Sequence, residues 1–301
     1  MALCTMTQRS VIVTGASSGI GLELAVHLAE NGFRTYATMR DLARRDALDA
    51  EAARRQVSSL RVLPLDVTQP DSIAQVVQTV AEECGRVDAV VNNAGAQIRG
   101  FFEDVPEEEL RQIFEVNLLG AMAMTRAVLP GMREAGAGRL IFVSSVGGRI
   151  GSPSLTAYCA SKFGLEGFGE ALALEVAPLG IQVSVVAPPI VNTEIWRRNR
   201  GVAQAALDPH SPYFPWFQRN EALADRLVAS ATVTAGDVAR TVHRLLCATR
   251  PRRRVVIGWR ARALLGVSRL LPEPWFERLY AAAVRRVLDP NKASSRSGAL
   301  P

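Results

Sequence analysis

The chain has 301 residues, of which 48% are hydrophobic and 21% charged, and its formal net charge is +6. Such a composition is that of a globular protein with a large core, and the length allows one or two domains. The four cysteines form no CxxC pair, so we predict a reducing compartment and no metal site. We also expect no signal peptide and no membrane-spanning helix, since every apolar run is short, and we predict a cytoplasmic protein.

Residues 9–190 alternate between short β-branched runs and longer segments with helical periodicity. We predict six strands, at residues 11–13, 35–38, 60–65, 87–91, 140–144 and 182–186. We predict helices at residues 21–31, 71–84, 100–135 and 158–175, and a charged helix that ends at residue 56. The strands are apolar on both faces, as strands buried between two helical layers are. This alternation predicts an α/β fold with a doubly wound, mostly parallel Rossmann sheet.

The pattern changes after residue 193. Residues 194–230 place aromatic residues and prolines among polar residues, which predicts a substrate lid or, alternatively, a packed surface excursion. A helix is predicted at 234–249, with Thr234 as its N-cap and Asp237 in its first turn, and a seventh strand at 253–258. We therefore predict a domain over residues 1–260 that contains the lid, followed by an extension over residues 261–301 that ends in a disordered tail.

The extension is part of a strongly basic region. Residues 250–286 contain ten arginines, which alternate with leucines and valines. A solvated basic face is the simplest interpretation, and the amphipathic alternation also suits contact with a membrane surface or a partner. We predict no nucleic-acid binding, because the aromatic–basic interleaving of a stacking platform is missing.

A glycine-rich turn, TGASSGIG at residues 14–21, lies between the first strand and the first helix. Glycines permit a tight turn and let backbone N–H groups approach a pyrophosphate, whose charge the helix N-terminus favours. The spacing is GxxxGxG rather than the general GxGxxG, but the position between strand and helix predicts a nucleotide site. The residues predicted to bind the nucleotide here are Gly15, Ser17, Ser18, Gly19, Ile20 and Gly21.

Tyr158 and Lys162 lie four residues apart in a predicted helix, thirteen residues after Ser145. Positions i and i+4 share one helix face, so the phenol and the ammonium group point the same way. A free tyrosine has a pKa of about 10, and a nearby cation favours the phenolate. We therefore predict that Lys162 lowers the pKa of Tyr158 and tunes it as a general acid or base toward a carbonyl or alcohol oxygen.

Together these motifs resemble the short-chain dehydrogenase/reductase family, over residues 9–193 and more loosely to about 260. The resemblance rests on the TGASSGIG turn, Asp66-Val67, the NNAG motif at 92–95, Asn117, Ser145, and Tyr158 with Lys162. The stretches YATMRDL and YCASKFGLEGFGEAL and the arginine-rich extension are similar to the 17β-hydroxysteroid and retinol dehydrogenase branch. The resemblance implies an oxidoreductase and a homodimer or homotetramer joined through helices 100–135 and 158–175.

The resemblance also implies a catalytic tetrad. Tyr158 would donate the proton, Ser145 would hold and polarise the substrate oxygen, and Lys162 would lower the tyrosine pKa and bond the nicotinamide ribose. Asn117 would order a water molecule that connects Lys162 to solvent. The cofactor would carry the hydride chemistry, while the protein supplies orientation and electrostatics.

Further cofactor contacts follow from the same resemblance. Asp66 would bond the adenine amino group, and the other residues on the adenosine side would be Val67, Asn93, Ala94 and Gly95. The NNAG motif can equally be a turn that supports the central sheet. The loop after the sixth strand would contact the nicotinamide through Pro188, Val191 and Thr193. Pro189 stands where the family usually has glycine, and because proline fixes φ we expect a stiffer loop.

Cofactor choice is predicted from the end of the second strand, Thr38-Met39-Arg40. A carboxylate there would bond the ribose 2′-hydroxyl of NAD, whereas an arginine suits the 2′-phosphate of NADP. Position 39 carries no acid, so Arg40, helped by Ser17, predicts NADP(H). Asp41 is the residue that argues for NAD.

The implied activity is the NADP(H)-dependent interconversion of a ketone or aldehyde and an alcohol. We predict that Ser145, Leu155, Tyr158 and Trp196 contact the substrate, and that the aromatic residues Phe214, Trp216 and Phe217 complete an apolar wall. Such a wall favours a bulky lipophilic substrate, such as a steroid, a retinoid or a polyketide-like molecule, over small acyl or sugar ketones. The rival function is a non-catalytic nucleotide sensor or scaffold on the same fold, and the complete tetrad argues against it.

Overall fold

The computed structural model describes residues 8–196 and 201–288. The strands in these ranges are β1 (Ser10–Val13), β2 (Arg34–Met39), β3 (Leu60–Pro64), β4 (Ala89–Asn92), β5 (Ile98–Arg99), β6 (Gly138–Val143), β7 (Ile181–Ala187), β8 (Gly201–Val202) and β9 (Arg254–Val256). Seven of them form one parallel sheet in the order β3-β2-β1-β4-β6-β7-β9, which confirms the doubly wound prediction. The predicted strand over residues 253–258 is β9, at one edge of that sheet.

The helices in the described ranges are α1 (Gly19–Glu30), α2 (Asp46–Arg54), α3 (Pro70–Cys84), α4 (Glu107–Phe114), α5 (Gly120–Glu134), α6 (Thr156–Val176), α7 (Phe214–Ala229), α8 (Ala235–Cys247), α9 (Trp259–Leu270) and α10 (Glu273–Leu288). The predicted N-cap of α8 is confirmed, since Thr234 and Asp237 form a reciprocal capping box. The predicted disordered tail at 291–301 lies outside the described residues.

Helices cover both faces of the sheet because successive strand side chains point to opposite faces. Val11 and Val13 of β1 pack in one core together with residues of α1, α2 and α8. Ile12 points the other way and packs in a second core with residues of α3, α5 and α6. The chain direction across the sheet reverses between β1 and β4, and ligands of open α/β sheets bind in the crevice at the carboxyl ends of such strands.

The stretch Glu107–Glu134 is long and apolar enough, by length and composition alone, to cross a membrane. Its residues Met124, Val128 and Met132 are instead buried in the second core, against side chains of the sheet. We therefore interpret this stretch as a core helix of the α/β fold. It is interrupted by a π-helical turn at Glu115–Leu119, a distortion that is frequent at functional sites.

A small parallel sheet of β5 and β8 was not predicted, because two residues per strand are too few for a periodic signal. It joins the start of the 201–230 segment to the loop after β4. Helix α7 follows, and a third core cluster unites Phe217 of that helix with Ile98, Ile113 and Ala157. Between residues 201 and 230 the predicted lid segment is thus folded against the domain rather than extended.

Candidate active site

Three of the four predicted catalytic residues surround the carboxyl end of β6. Ser145 follows β6 in extended conformation and precedes a short helical turn, and its Oγ accepts a hydrogen bond from the Gly147 N–H at 3.0 Å. Tyr158 and Lys162 lie in the first two turns of α6, as the i, i+4 spacing predicts. The Lys162 Nζ lies 5.9 Å from the centroid of the Tyr158 ring.

Lys162 is buried, and its Nζ donates a hydrogen bond to the Val143 carbonyl at 2.9 Å. Burial penalises the charged ammonium and lowers the pKa of Lys162 from 10.5 to about 8, although the nearby Glu166 carboxylate acts in the opposite direction. The side chain is therefore a cation at neutral pH that has become easier to deprotonate.

The pKa of Tyr158 is shifted in the opposite direction to that of Lys162. Burial raises the pKa of its phenol from 10.0 to about 12, and the hydrogen bond with the Ser145 side chain offsets only part of this increase. Burial is the largest cause of this increase, and Lys162, whose Nζ lies 5.9 Å from the ring centroid, is not among the groups that shift the pKa, so its predicted lowering of the Tyr158 pKa stays a prediction. At neutral pH the phenol therefore keeps its proton, which suits a general acid.

Asn117 lies in the π-helical turn and links three elements. Its Oδ1 accepts a hydrogen bond from the Ala96 N–H at 2.8 Å. Its Nδ2 donates to the Ala96 carbonyl at 2.9 Å and to the Ser161 Oγ at 3.0 Å. Both amide hydrogens are thus used within the protein, so only the second lone pair of Oδ1 is left for a further partner. The predicted water-ordering role stays a prediction, and the observed contacts tie the loop after β4 to α6.

A cavity of about 480 Å³ runs along the carboxyl ends of β1, β2 and β4. It is lined by nearly all of the residues predicted to bind the nucleotide, namely Gly15, Ser17, Ser18, Gly19, Ile20, Gly21, Arg40, Asp66, Val67, Asn93, Ala94, Gly95, Tyr158, Lys162 and Thr193. Pro188 and Val191 do not reach it and line a neighbouring cavity instead.

The glycines of the turn are required by geometry, and this geometry suits a dinucleotide. Gly15 has φ +70° and Gly19 φ +57°, a region that favours glycine. A Cβ on Gly21 would clash with the Gly15 carbonyl oxygen and with the Asn93 side chain. The turn therefore folds tightly onto the N-terminus of α1, which is where a pyrophosphate binds through backbone N–H groups.

The end of this cavity beside β2 contains a cation that the sequence prediction missed. Arg44 lines the cavity together with Arg40, at the end of β2 and in the short helical turn that follows. The Asp41 Oδ1 accepts a hydrogen bond from the Ala43 N–H at 2.9 Å and caps that turn. The spacing of four residues between Arg40 and Arg44 was a local signal that could have identified the second arginine.

A second cavity, of about 390 Å³, adjoins the first, and Tyr158, Ser144 and Thr193 line both. The predicted substrate contacts Ser145, Leu155, Tyr158 and Trp196 all line it. Most of its wall is apolar, and the apolar lining residues that were not predicted include Ile150, Leu227, Val233, Trp259, Leu264 and Tyr280.

Three predicted wall residues do not line this cavity. Phe217 is buried in the third core cluster, where it holds α7 against the domain. Trp216 packs instead near Phe101 and Tyr213, with ring centroids 6.2 and 6.1 Å away. The prediction for Phe214, Trp216 and Phe217 was therefore wrong, because none of these α7 residues lines the cavity, and the rings of Trp216 and Phe217 pack elsewhere.

The wall is completed by the C-terminal helices. Trp259 and Leu264 of α9 and Tyr280 of α10 line the cavity, and the Tyr280 hydroxyl donates a hydrogen bond to the Gly151 carbonyl at 2.8 Å. These residues lie within or beside the basic region 250–286, which the sequence predicted to be a solvated face or an amphipathic contact surface. No local signal distinguishes a tryptophan at a cavity wall from one at an exposed face.

Comparison with known proteins agrees with this geometry. A family model described as short chain dehydrogenase matches residues 9–202. The uncharacterized oxidoreductase YusZ of Bacillus subtilis is 39% identical over 215 residues, which are 71% of this chain and 76% of that protein. Human retinol dehydrogenase 8 is 36% identical over 253 residues, or 81% and 79% of the two chains. Human 17-beta-hydroxysteroid dehydrogenase type 1 is 41% identical over 209 residues, or 67% of this chain and 63% of that protein.

Solved structures show the same fold. A short-chain dehydrogenase from Streptomyces avermitilis superposes with a TM-score of 0.73 at 31% identity, covering 97% of this chain and 100% of that one. A metagenomic short-chain oxidoreductase in complex with NADP has a TM-score of 0.65 at 26% identity, covering 83% and 96%. A Burkholderia phymatum short chain dehydrogenase/reductase in complex with NAD has a TM-score of 0.74 at 22% identity, covering 87% and 93%. This chain therefore belongs to the short-chain dehydrogenase family and is an oxidoreductase with a fold that binds a nicotinamide cofactor.

Proposed function

We propose that this protein interconverts a ketone or aldehyde and an alcohol, with NADP(H) as its cofactor. The observation that carries the proposal is the position of Tyr158, whose side chain lines both the nucleotide cavity and the apolar cavity beside it. A bound nicotinamide supplies or accepts the hydride. The residues around Tyr158 supply proton transfer, charge and orientation.

In the reduction direction, Tyr158 donates its phenolic proton to the substrate oxygen while Ser145 holds that oxygen by a hydrogen bond. The pKa of Tyr158, about 12, keeps the proton on the phenol until the substrate oxygen takes up negative charge. The Lys162 ammonium then stabilises the phenolate that is formed, since a buried cation interacts strongly with a nearby anion. In the oxidation direction the same residues act in reverse.

The cofactor is held by the residues of the larger cavity. We propose that the backbone of the glycine turn binds the pyrophosphate, that Asp66 and Val67 contact the adenine, and that Lys162 bonds the nicotinamide ribose. Val191 and Thr193 face the nicotinamide end, since Val191 lines the substrate cavity and Thr193 lines both cavities.

A preference for NADP(H) is supported by charge at the adenosine end. Arg40 and Arg44 both line this end of the cavity, with Ser17 from the glycine turn, and two guanidinium groups suit a 2′-phosphate. Asp41 argues less strongly for NAD than its position in the sequence suggests, because its carboxylate caps the turn that follows β2.

A bulky lipophilic substrate is supported by the lining of the smaller cavity. Its apolar wall includes Ile150, Leu155, Leu227, Trp259 and Leu264, and its polar groups include those of Ser145 and Tyr158. An apolar cavity with few convergent polar groups is typical of a small-molecule site. The similar proteins named as steroid and retinol dehydrogenases act on molecules of this class.

We also propose a homo-oligomer formed through the helices that follow β4 and β6. Leu119, at the end of the π-helical turn, and Phe163 and Leu174 of α6 are large apolar side chains that are exposed in the single chain. Burial of such side chains between subunits removes apolar surface from water. A cytoplasmic location stays a prediction.

The proposal is tested by nucleotide-dependent turnover. NADPH oxidation and NADP reduction are measured against a panel of lipophilic carbonyls and alcohols, with small ketones and sugars for comparison. Tyr158→Phe is expected to abolish turnover while NADPH binding, measured by fluorescence titration, changes little. Tyr213→Phe is the matched control, because Tyr213 stacks on Phe101 away from both cavities. Normal turnover in Tyr158→Phe contradicts the mechanism, and NADPH binding with no turnover on any compound favours the nucleotide-sensing alternative.

A further inference from the structure

The outer surface of α9 and α10 carries large apolar side chains. Leu270 is 85% exposed, Trp259 69%, Trp275 64% and Leu279 61%. Scattered apolar residues are normal on a protein surface, but these four lie within about twenty residues of sequence on two consecutive helices. A concentration of large exposed apolar side chains on two consecutive helices is a candidate interaction surface.

Both helices are amphipathic in the described structure. Helix α9 buries Ala261 and Leu265, which leaves Leu264, Val267 and Leu270, each three residues apart, along one flank. Helix α10 turns Phe276 and Tyr280 inward, where both are partly buried. Trp275 and Leu279, four residues apart, therefore share a stripe on its exposed side.

The same two helices are basic. Residues 259–288 contain six arginines and two glutamates. The arginines of α9 and α10 are exposed beside the apolar stripes, among them Arg269, Arg278 and Arg285. Tryptophan, leucine and arginine in this combination are typical of helices that lie in a membrane interface, because arginine pairs with anionic headgroups while the apolar side chains enter the acyl boundary.

The mouth of the apolar cavity opens at this surface. Trp259 and Leu264 line the cavity and are also exposed to solvent, so they lie at its rim. Leu227 of α7 also lines the cavity and is exposed to solvent, so it lies at the rim as well. A layer of lipid on the α9–α10 surface would therefore contact the mouth of the cavity directly.

We propose that the exposed face of α9 and α10 binds the surface of an anionic phospholipid bilayer and holds the mouth of the apolar cavity against it. At 12 and 16 residues the helices are too short to span a bilayer, so they lie on it. Entry of a lipophilic substrate from the membrane rests on the proposed function, whereas the bilayer contact itself does not.

The contact is tested with the full chain and sedimenting vesicles of phosphatidylcholine, alone or with 30% phosphatidylglycerol. Binding is expected with the anionic vesicles and is expected to weaken at high salt. Arg269→Gln with Arg278→Gln should weaken it at least tenfold, since one basic residue near an anionic surface contributes about fivefold. Leu270→Ser with Trp275→Ser and Leu279→Ser should abolish it.

Matched control variants come from exposed residues elsewhere. Phe102→Ser with Leu207→Ser removes exposed apolar side chains, and Arg111→Gln removes an exposed arginine, and both should bind vesicles like the wild type. Circular dichroism, thermal melting and NADPH binding verify that each variant is folded. Equal binding by the folded α9–α10 variants, or no binding of the wild type to anionic vesicles, overturns the proposal. If the wild type instead forms a larger oligomer that is lost only in the apolar variant, the α9–α10 surface binds a second copy of this chain rather than a membrane.

Tryptophan fluorescence tests the orientation. Brominated lipids should quench the wild type, and Trp259→Phe with Trp275→Phe should lose most of this quenching while still binding vesicles. Trp216→Phe should retain the quenching, because Trp216 packs beside Phe101 and Tyr213 and outside the α9–α10 face. Quenching that depends on Trp216 would place another face on the membrane. Neither assay requires turnover, so failure of the proposed activity would not alter the result.

Discussion

Tyr158 and Lys162 respond to burial in opposite directions, because burial penalises whichever form of a group is charged. The pKa of Tyr158 rises to about 12 and that of Lys162 falls to about 8. Both side chains are thus shifted toward their neutral forms, and at neutral pH the pair is a neutral phenol beside an ammonium group. This is the protonation state that a general acid with electrostatic support requires.

The lowered pKa of Lys162 predicts a pH-dependent stability difference. Below pH 8 both the folded and the unfolded chain protonate Lys162, so the folded chain carries the full cost of burying the charge. Between pH 8 and 10.5 only the unfolded chain binds the proton, so the contribution of Lys162 to stability rises with pH. Relative to Lys162→Met, the wild type should therefore gain about 2 kcal/mol between pH 7 and 10, measured by urea unfolding. A difference that stays constant over this range contradicts the burial of the charged amine.

Arg40 is expected to discriminate between the two nicotinamide cofactors. A hydrogen bond between charged groups contributes about 1.5–3 kcal/mol, so Arg40→Ala should weaken NADPH binding by about ten- to a hundredfold and leave NADH binding nearly unchanged. Arg45→Ala is the control, since Arg45 pairs with Asp49 and does not line the cavity. Calorimetric titration of both cofactors measures the effect. An equal loss for NADPH and NADH would remove the argument for a 2′-phosphate site.

Among the elements, β5 and α7 determine where the 194–196 segment lies. Arg99 of β5 is only 1% exposed, and its Nε donates to the Glu221 Oε1 of α7 at 2.6 Å. The guanidinium group also lies 4.8 Å from the centroid of the Trp196 ring. Gln97, in the loop after β4, donates to the Ile195 carbonyl at 2.8 Å, so the segment that carries Trp196 is held both from this loop and from β5.

Removal of the Glu221 charge tests this arrangement. Glu221→Ala leaves the buried Arg99 cation without that carboxylate, and breaking a buried pair costs about 3–5 kcal/mol, so we expect a lower melting temperature. Glu221 positions Arg99, and Arg99 contacts the Trp196 ring, so the variant should also loosen Trp196. KM should therefore rise more for a bulky substrate than for a small ketone, with a smaller change in kcat. Glu170→Ala is the control, since the Glu170–Arg254 pair is largely exposed and worth at most about 1 kcal/mol. Equal changes in KM for both substrates would argue that the pair supports stability alone.

For the whole molecule, the site is assembled from segments that are distant in sequence. The glycine turn and β2 form the nucleotide cavity, while α7, α9 and α10 close the apolar one. The C-terminal extension therefore contributes to the site of the preceding domain, although its division at residue 260 stays a prediction. We propose that the subunit contact lies at the exposed apolar residues of α6 and the π-helical turn.

The oligomer is predicted to depend on that surface. Light scattering coupled to gel filtration should show a dimer or tetramer, and Leu119→Arg with Leu174→Arg should shift it toward the monomer, because charges buried in an interface without partners are costly. Leu207→Arg is the control, since Leu207 is similarly exposed in a different segment. A monomeric wild type, or an oligomer unaffected by the double variant, would contradict this interface.

The sequence by itself determined the parallel sheet, the glycine turn after β1 and the placement of Tyr158 and Lys162 on one helix. These features are encoded locally: strand–helix alternation, glycines that adopt positive φ at 15 and 19, and an i, i+4 pair on one helix. Arg40 could be selected in the same way, because it lies two residues after the predicted strand at 35–38.

Only the tertiary structure decided the direction in which the pKa of Tyr158 shifts and the residues that form the wall of the apolar cavity. A pKa depends on how much protein surrounds a group, and the sequence does not state this. Tyr280 and Gly151, joined by a hydrogen bond, are 129 positions apart, and such a contact has no periodic signature. Phe214, Trp216 and Phe217 of the predicted lid could be expected to form this wall from the sequence, but they do not line the cavity, whereas Trp259 of α9 and Tyr280 of α10 do.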